Sequence, residues 1–283
     1  MPVAFWNDEA SIKPEEKTVT HVIHDRVAYQ LVDHVARIEL AHSGGHNSLD
    51  RPMGEALRIA AGRAADDAHR GDARVVVVCA QGRVFSVGGD LSDFAGADDR
   101  GAQIKATADE LHAALAMIRR LRVPVVSVIN GTAAGGGLGF ALIGDIVIAA
   151  NEAKLVMAYT ASGLTPDCGV TWLVAARVSW PRAMDLALSN RVVTGAEAAE
   201  WGLVSRAVPA AELDAAVEAV VSTLRVGPTG ALADTKRLMA ESTGRGFVDQ
   251  LDLEAATISR AIVSPDGIEG VDAFLAKRRP VFG

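Results

Sequence analysis

Two glycine-rich loops, each placed directly after a short β-branched run, constrain the fold of this chain more than any other feature. Residues 75–80 lead into Phe85-Ser-Val-Gly-Gly-Asp-Leu, and residues 124–129 lead into Asn130-Gly-Thr-Ala-Ala-Gly-Gly-Gly-Leu-Gly. Neither run alternates apolar with polar residues, which is typical of strands buried on both faces of a parallel sheet. The sequence therefore predicts an α/β core with both loops at carboxyl ends of strands, where ligands bind in open α/β sheets.

The remaining pattern divides the 283-residue chain into three regions. We predict an N-terminal arm over residues 1–24, a core over residues 25–210 and a helical C-terminal region over residues 211–283. In the core, the patterns predict two strands across residues 27–38, a strand at 146–150, and helices at 51–69 and 109–121, with a loop at 95–107 that covers the site. Beyond residue 164 the strand signals fade, and the spacing predicts helices at 165–178, 183–188, 196–200, 211–224, 229–239, 249–262 and 267–279.

Charge and composition exclude several classes of protein. The net charge of −7 argues against a general nucleic-acid-binding protein, which needs a basic face to neutralise phosphates. No apolar run reaches the roughly 18 residues that a membrane-spanning helix needs, so we expect no membrane partner. Cys79 and Cys168 cannot form a disulfide framework, and the first twenty residues lack an apolar signal region. These features predict a cytoplasmic protein. The spacing of the His and Cys residues does not indicate a metal site.

The glycine run itself needs an explanation, because three consecutive glycines from Gly135 to Gly137 weaken the helix that they begin. One explanation is tight packing of strand against helix. The other is functional: backbone N–H groups, supported by the helix dipole, point at a negative charge that develops on a ligand. The pattern contains neither Gly-x-Gly-x-x-Gly nor Gly-Lys-Ser/Thr, so dinucleotide-binding and P-loop readings fail.

Taken together, these motifs make the sequence similar to the enoyl-CoA hydratase/isomerase (crotonase) superfamily from about residue 27 to residue 283. Both glycine loops match family motifs. Weaker matches are His46-Asn-Ser-Leu, Gly144-Asp-Ile-Val-Ile-Ala, Ala198-Ala-Glu-Trp-Gly-Leu-Val and the tail from Glu269 to Phe282. The resemblance implies an α/β crotonase (ClpP-like) spiral of ββα units with a helical C-terminal region for trimerisation.

The resemblance also implies a substrate and a binding site. The substrate is an acyl-CoA thioester, so coenzyme A arrives as part of the substrate and no cofactor is bound permanently. The N–H groups of Gly89 and Gly136 form the oxyanion hole that stabilises the enolate of the thioester. The partner expected besides substrate is the chain itself, as a homotrimer or dimer of trimers. The residues expected to bind substrate or CoA are Ser48, Val87, Gly88, Asp90, Leu91, Gly135, Tyr159, Phe274 and Lys277.

Two departures from the family pattern bear on the reaction. Hydratases of this family use two glutamates, and the matching positions hold Gly139 and Tyr159. Water addition needs one group to deliver a proton and another to activate water, so these replacements disfavour a hydratase. Asp167 offers a replacement carboxylate at a Pro-Asp site that isomerases of the superfamily use. Its alternative role is to compensate the dipole of a helix that begins near Thr165.

A second branch, the 4-chlorobenzoyl-CoA dehalogenases, is similar locally. Tyr159 stands eight residues before Asp167, and His112 stands twelve before Pro124, as in that branch. There the aspartate attacks the aromatic ring and the histidine activates water. Against this reading, the dehalogenase has bulky aromatic residues where this chain has Gly89 and Asp90, and a packed histidine is common on this helix. We favour isomerisation through Asp167, with dehalogenation or a non-catalytic acyl-CoA-binding protein as alternatives.

Overall fold

The computed structural model describes residues 20–283 except residues 43 and 45. The strands of this part are β1 (Thr20–Ile23), β2 (Val27–Val32), β3 (Val35–Leu40), β4 (Val75–Ala80), β5 (Val84–Ser86), β6 (Val125–Ile129), β7 (Thr132–Ala134), β8 (Ile146–Ala150), β9 (Lys154–Val156), β10 (Val193–Thr194) and β11 (Arg206–Val208). Its α-helices are α1 (Arg51–Arg70), α2 (Leu91–Ala95), α3 (Arg100–Arg120), α4 (Gly136–Leu142), α5 (Val170–Ala175), α6 (Trp180–Ser189), α7 (Gly195–Trp201), α8 (Leu213–Arg225), α9 (Thr229–Ser242), α10 (Phe247–Ala261) and α11 (Pro265–Leu275).

The strands form two sheets that the chain visits in turn. The large sheet has the order β1-β2-β3-β4-β6-β8-β11, and the small sheet has the order β10-β9-β7-β5. From β3 to β11 the large sheet is parallel, while β1, β2 and β3 pair antiparallel. Each of β4, β6 and β8 is followed by a strand of the small sheet, namely β5, β7 and β9. This repetition is the spiral of ββα units that the family resemblance implied.

The two runs without apolar–polar alternation form the centre of the large sheet. Every residue of β6 is buried, and all but the last residue of β4 are buried. The helices α1 and α3 pack against each other, with Met53, Leu57 and Leu111 in the core. A parallel sheet buried in this way brings the ends of β4 and β6, and therefore both glycine loops, to the same edge.

The helix α3 is longer than predicted. The pattern indicated a helix from residue 109 and a loop at 95–107, whereas α3 already begins at Arg100. The side chain of Asp99 accepts a hydrogen bond from the N–H of Ala102 at 2.9 Å and so caps the helix. The first turns of α3 lack a regular apolar period, so the sequence pattern did not predict them as helix. The predicted loop is therefore largely helix.

The structure differs from the predicted secondary structure in three other ways. The helix predicted over residues 165–178 is reduced to α5, because Cys168 and Gly169 have left-handed backbone (φ 49° and 69°) that interrupts a right-handed helix. The strands β5, β7, β9, β10 and β11 were missed because two or three residues are too few to show a period. The predicted arm over residues 1–24 ends in β1, an edge strand of the large sheet, and its residues 1–19 lie outside the described residues.

The C-terminal region, from α8 to α11, is built of helices. The helix α8 packs Leu213, Val217 and Val221 into the core, and it contacts β4, β6 and β8. The next helix, α9, is tied to the core by Lys236, whose Nζ atom lies 2.7 Å from Asp145 Oδ2. Across the part of the chain that the structure describes, no helix has both the length and the apolar character needed to cross a membrane.

The partly buried guanidinium of Arg177 joins α5 to the end of α4, the helix that begins at the glycine run. Its Nη2 atom donates to the carbonyl oxygen of Leu142 at 2.7 Å and to that of Gly144 at 3.2 Å, and its Nη1 atom donates to that of Leu173 at 3.1 Å. Burial lowers the pKa of Arg177. These contacts satisfy carbonyl groups that a helix end leaves without partners.

We therefore expect Arg177→Met to lower the free energy of unfolding by about 1–3 kcal/mol, because it leaves buried carbonyl groups without donors. Chemical denaturation followed by circular dichroism measures the change. Arg206→Met replaces an exposed arginine of β11 and serves as the matched control. Equal stability of the two variants would show that the Arg177 contacts contribute little.

Candidate active site

A cavity of about 470 Å³ lies where the two glycine loops, α3 and the segment around residues 158–168 meet. It contains a single carboxylate, that of Asp167, among the described residues. Its apolar walls include Phe94, Ile104 and Leu111. The residues that the sequence analysis placed at the site and that line this cavity are Val87, Gly88, Gly89, Leu91, Gly135, Gly136, Tyr159 and Asp167.

The two glycine loops touch each other through their backbones. Gly88 and Gly135 both have left-handed backbone (φ 86° and 52°), which favours glycine. A Cβ atom on Gly88 would lie 2.8 Å from the carbonyl oxygen of Ala134, and one on Gly135 would lie 3.6 Å from the Cα atom of Gly88. A side chain at Gly88 would therefore push the loops apart.

The N–H groups of Gly89 and Gly136 donate to no acceptor within the described ranges of the chain. Gly89 forms a bridge with Leu49, but that bridge uses the N–H of Leu49, which donates to the carbonyl oxygen of Gly88 at 2.8 Å. Two neighbouring loops thus bring two backbone donors to one cavity. Such a pair is suited to an oxygen that gains negative charge. Gly137, in contrast, is explained by packing, since a Cβ atom there would lie 2.5 Å from Ser86.

Asp167 lies in a loop before α5, and not in the first turn of a helix as the alternative reading required. The hydroxyl of Tyr159 donates to Asp167 Oδ1 at 2.6 Å. Burial, together with the charge of Asp167, raises the pKa of Tyr159, so the phenol keeps its proton and remains a donor. Asp167 Oδ1 also lies 3.6 Å from the position of a Cβ atom on Gly136. The carboxylate therefore stands next to Gly136, one of the two residues with a free N–H group.

His112 approaches Asp167 from α3. Its Nε2 atom lies 3.9 Å from Asp167 Oδ2 and accepts the N–H of Cys168 at 3.1 Å. Ligand atoms of His112, Asp167 and Cys168 lie within 4.8 Å of one another, which is the spacing of a possible metal site. However, the Nε2 lone pair is already engaged by a backbone N–H, and burial raises the pKa of the Cys168 thiol. The group offers a metal ion little beyond one carboxylate.

Backbone atoms of Cys168 occupy the space that a hydratase glutamate at residue 139 would need. Gly139 lies one turn into α4, and a Cβ atom on it would stand 2.2 Å from the carbonyl oxygen of Cys168 and 3.0 Å from the Cβ atom of Cys168. The turn that carries Asp167 is therefore packed directly on α4. A glutamate at residue 139 and this position of the turn exclude each other.

Five predicted site residues do not line the cavity. Ser48 is buried beside it, and Asp90 caps α2 by accepting the N–H groups of Ser92 and Asp93. These hydrogen bonds, with that of the Ser92 hydroxyl first, lower the pKa of Asp90. His112 borders an adjoining cavity of about 390 Å³. Phe274 and Lys277, at the end of α11, contribute nothing to the cavity of their own chain.

Other lining residues could not be identified from the sequence, because their spacing shows no signal. They come mainly from the helical segment taken for a loop and from the loop before α5, and they are Leu49, Phe94, Ile104, Lys105, Thr107, Ala108, Leu111, Ala158, Ser162, Leu164, Thr165 and Cys168.

Known proteins resemble this chain over nearly its whole length. The sequence model of a family described as enoyl-CoA hydratase/isomerase matches residues 31–283. A probable enoyl-CoA hydratase of Rhodobacter capsulatus is 35% identical over 257 residues, which cover 90% of this chain and 97% of that protein. A 1,2-epoxyphenylacetyl-CoA isomerase of Escherichia coli is 38% identical over 214 residues, which cover 74% of this chain and 80% of that protein.

Two further similarities bear on the fold and on the second branch. A solved structure of a putative enoyl-CoA hydratase/isomerase from Mycobacterium abscessus superposes with a TM-score of 0.85 at 34% identity, covering 91% of this chain and 99% of that one. A 4-chlorobenzoyl coenzyme A dehalogenase of Arthrobacter is 26% identical over 254 residues, which cover 89% of this chain and 91% of that protein. These findings confirm the predicted superfamily and its fold.

The contact between Gly139 and Cys168 generates a stability prediction. Gly139→Ala places a methyl group against a backbone carbonyl, and we expect the free energy of unfolding to fall by about 1–3 kcal/mol. Gly230→Ala, in α9, is the control, because no atom lies within 4 Å of its new Cβ atom. That variant should gain up to about 1 kcal/mol from helix propensity. Thermal and chemical denaturation measure both changes, and a stabilised Gly139→Ala protein would contradict the close packing.

Proposed function

The chain belongs to the enoyl-CoA hydratase/isomerase family of acyl-CoA-processing enzymes, and from this premise we propose that its reaction is an isomerisation in which Asp167 moves a proton. The observation that carries the proposal is the single carboxylate among the described residues that line the cavity, close to Gly136. One carboxylate is enough to remove a proton and return it to another carbon. Hydration needs two acid–base groups: one activates the water molecule and the other delivers a proton to carbon.

The proposed reaction conserves every atom of the substrate. Asp167 takes a proton from a carbon that the thioester acidifies, and the electrons of that C–H bond pass into the thioester, which becomes an enolate. The N–H groups of Gly89 and Gly136 donate to the enolate oxygen. Asp167 then returns the proton to a different carbon, the enolate collapses and the double bond has moved. Each N–H donor of this kind lowers the barrier by about 3–4 kcal/mol.

The walls of the cavity support an apolar acyl group. Val87 and Leu91 are each about half exposed (45% and 49%), which suits a position at the entrance, where the pantetheine arm of CoA passes. Phe94, Ile104 and Leu111 provide an apolar lining. The proposal includes a cytoplasmic location, with which the two buried free thiols are compatible.

Tyr159 is proposed to hold the base in place. Its hydroxyl is the donor that contacts Asp167 Oδ1 at 2.6 Å, so it fixes which carboxylate oxygen faces the substrate. The relative named as an isomerase of 1,2-epoxyphenylacetyl-CoA supports isomerase chemistry, and the relative named as a probable hydratase supports only the family.

The decisive experiment uses a panel of unsaturated and ring-containing acyl-CoA thioesters in D2O, with products separated by chromatography and analysed by mass spectrometry. Isomerisation leaves the formula unchanged apart from deuterium gained by exchange, whereas hydration adds the mass of water. Asp167→Asn should lower kcat by about 10²- to 10⁴-fold, because it removes the base. Asp93→Asn, an exposed carboxylate of α2 outside the cavity, is the control. Turnover by Asp167→Asn at the wild-type rate would refute the assignment.

One observation favours a second candidate reaction, the dehalogenation of an aryl-CoA thioester. His112 and Asp167 approach within 3.9 Å, and a dehalogenase of 4-chlorobenzoyl-CoA is among the relatives. In that reaction Asp167 attacks the ring carbon, chloride leaves, and water hydrolyses the aryl ester. Chloride release from 4-chlorobenzoyl-CoA would select this reaction. Binding of thioesters without any product would instead select the non-catalytic acyl-CoA-binding protein.

We also propose that the chain assembles as a homotrimer, or a dimer of trimers, through its C-terminal helices. Phe247, Phe274 and Leu275 are 78%, 82% and 73% exposed, an unusual state for large apolar side chains. The helices α9–α11 also border an apolar cavity of about 730 Å³. A second copy seated there would bury this surface and bring Phe274 and Lys277 towards its own CoA site.

Substitution of that surface tests the assembly. Phe247→Asp combined with Phe274→Asp should shift the mass measured by light scattering from a trimer or hexamer towards a monomer, because charge at the interface is costly to bury. Val22→Asp, at an exposed apolar residue of β1, is the control. A wild-type monomer at micromolar concentration would contradict the proposed assembly.

A further inference from the structure

The turn that carries Asp167 has an unfavourable backbone conformation. Cys168 has φ 49°, a left-handed value that a residue with a side chain rarely adopts, and Gly169 follows with φ 69°. The turn also packs on α4, with the carbonyl oxygen of Cys168 facing Gly139. The direction of the Asp167 side chain depends on this conformation, because the two residues are adjacent.

A side chain from α3 contacts the backbone of this turn. The N–H of Cys168 donates to Nε2 of His112 at 3.1 Å. A backbone N–H is only a donor, so Nε2 must be the unprotonated nitrogen, and the ring proton must be on Nδ1. His112 therefore contacts the turn as a neutral imidazole that acts as an acceptor.

We propose, on the basis of the function proposed above, that His112 is a positioning residue. It fixes the left-handed turn at Cys168 and, through that turn, the direction of the Asp167 carboxylate. Three contacts then define the carboxylate: Tyr159 holds Oδ1, Gly139 gives the turn room against α4, and His112 fixes the backbone that follows.

This arrangement argues against His112 as the base that activates water. The Nε2 lone pair is occupied by the Cys168 N–H, and Nδ1 already carries a proton. The ring has no free lone pair with which to accept a proton from water. About half of the His112 side chain is exposed, so its substitution does not open a hole in the core.

Two variants separate the roles in an activity assay. His112→Leu removes the acceptor, and displacement of the carboxylate by about 1 Å should lower kcat by about 100-fold while KM changes little. His112→Gln offers an amide oxygen near the place of Nε2 and should recover most of the wild-type kcat, although glutamine cannot act as a base. His69→Leu, at an exposed histidine of α1, is the control. Equal loss of kcat in His112→Gln and His112→Leu, or wild-type turnover by His112→Leu, would overturn the proposal.

A second measurement needs no substrate and so separates this inference from the proposed function. The Cys168 thiol is buried in the native protein, and a turn released from His112 exposes it. Iodoacetamide labelling of the folded protein, quantified by peptide mass spectrometry, should be faster at Cys168 in His112→Leu than in the wild type or in His112→Gln. Labelling of the buried Cys79 in the same sample reports any general loosening. Unchanged labelling at Cys168 overturns the positioning role, even if no thioester proves to be a substrate.

Discussion

The candidate site depends on contacts between backbones that no side chain separates. At Gly88 the two glycine loops meet, and at Gly139 the turn before α5 rests on α4, with spaces too small for a methyl group. Close approach of this kind is possible only where Cβ atoms are missing. It brings two N–H donors and one carboxylate, from three separate parts of the chain, to the wall of one cavity.

The parallel core could be predicted from sequence because its signals are local and strong. Residues 75–80 and 125–129 are apolar except for Ser127 and show no alternation, and the large sheet buries almost all of them. The strand β11 and the start of α3 could not be predicted in the same way. The three residues of β11 form a strand only because they pair with β8, and Arg100 begins a helix because Asp99 caps it. Such elements are specified by tertiary contacts or single side chains, which a periodicity analysis does not detect.

The candidate site, like the fold, was only partly predictable from the sequence. The loop residues Gly89 and Gly136 were identified from motifs, because a glycine-rich sequence after a buried strand is visible in the chain itself. The backbone conformation around Asp167 was not predicted, since the sequence indicated a helix where a left-handed turn lies. The hydrogen bond from Cys168 to His112 joins residues 56 positions apart. No local pattern records a contact of that kind, although a Cys-Gly pair after Pro-Asp was a hint that the helix begins later.

The packing of Cys168 on Gly139 also restricts how such a protein can change over time. A glutamate at residue 139 requires the turn to withdraw, and withdrawal of the turn displaces Asp167. No single substitution on this backbone can therefore supply the hydratase side chain while the aspartate stays in place. A change from this site to a two-glutamate site therefore requires the turn to be remodelled as well as side chains to be replaced.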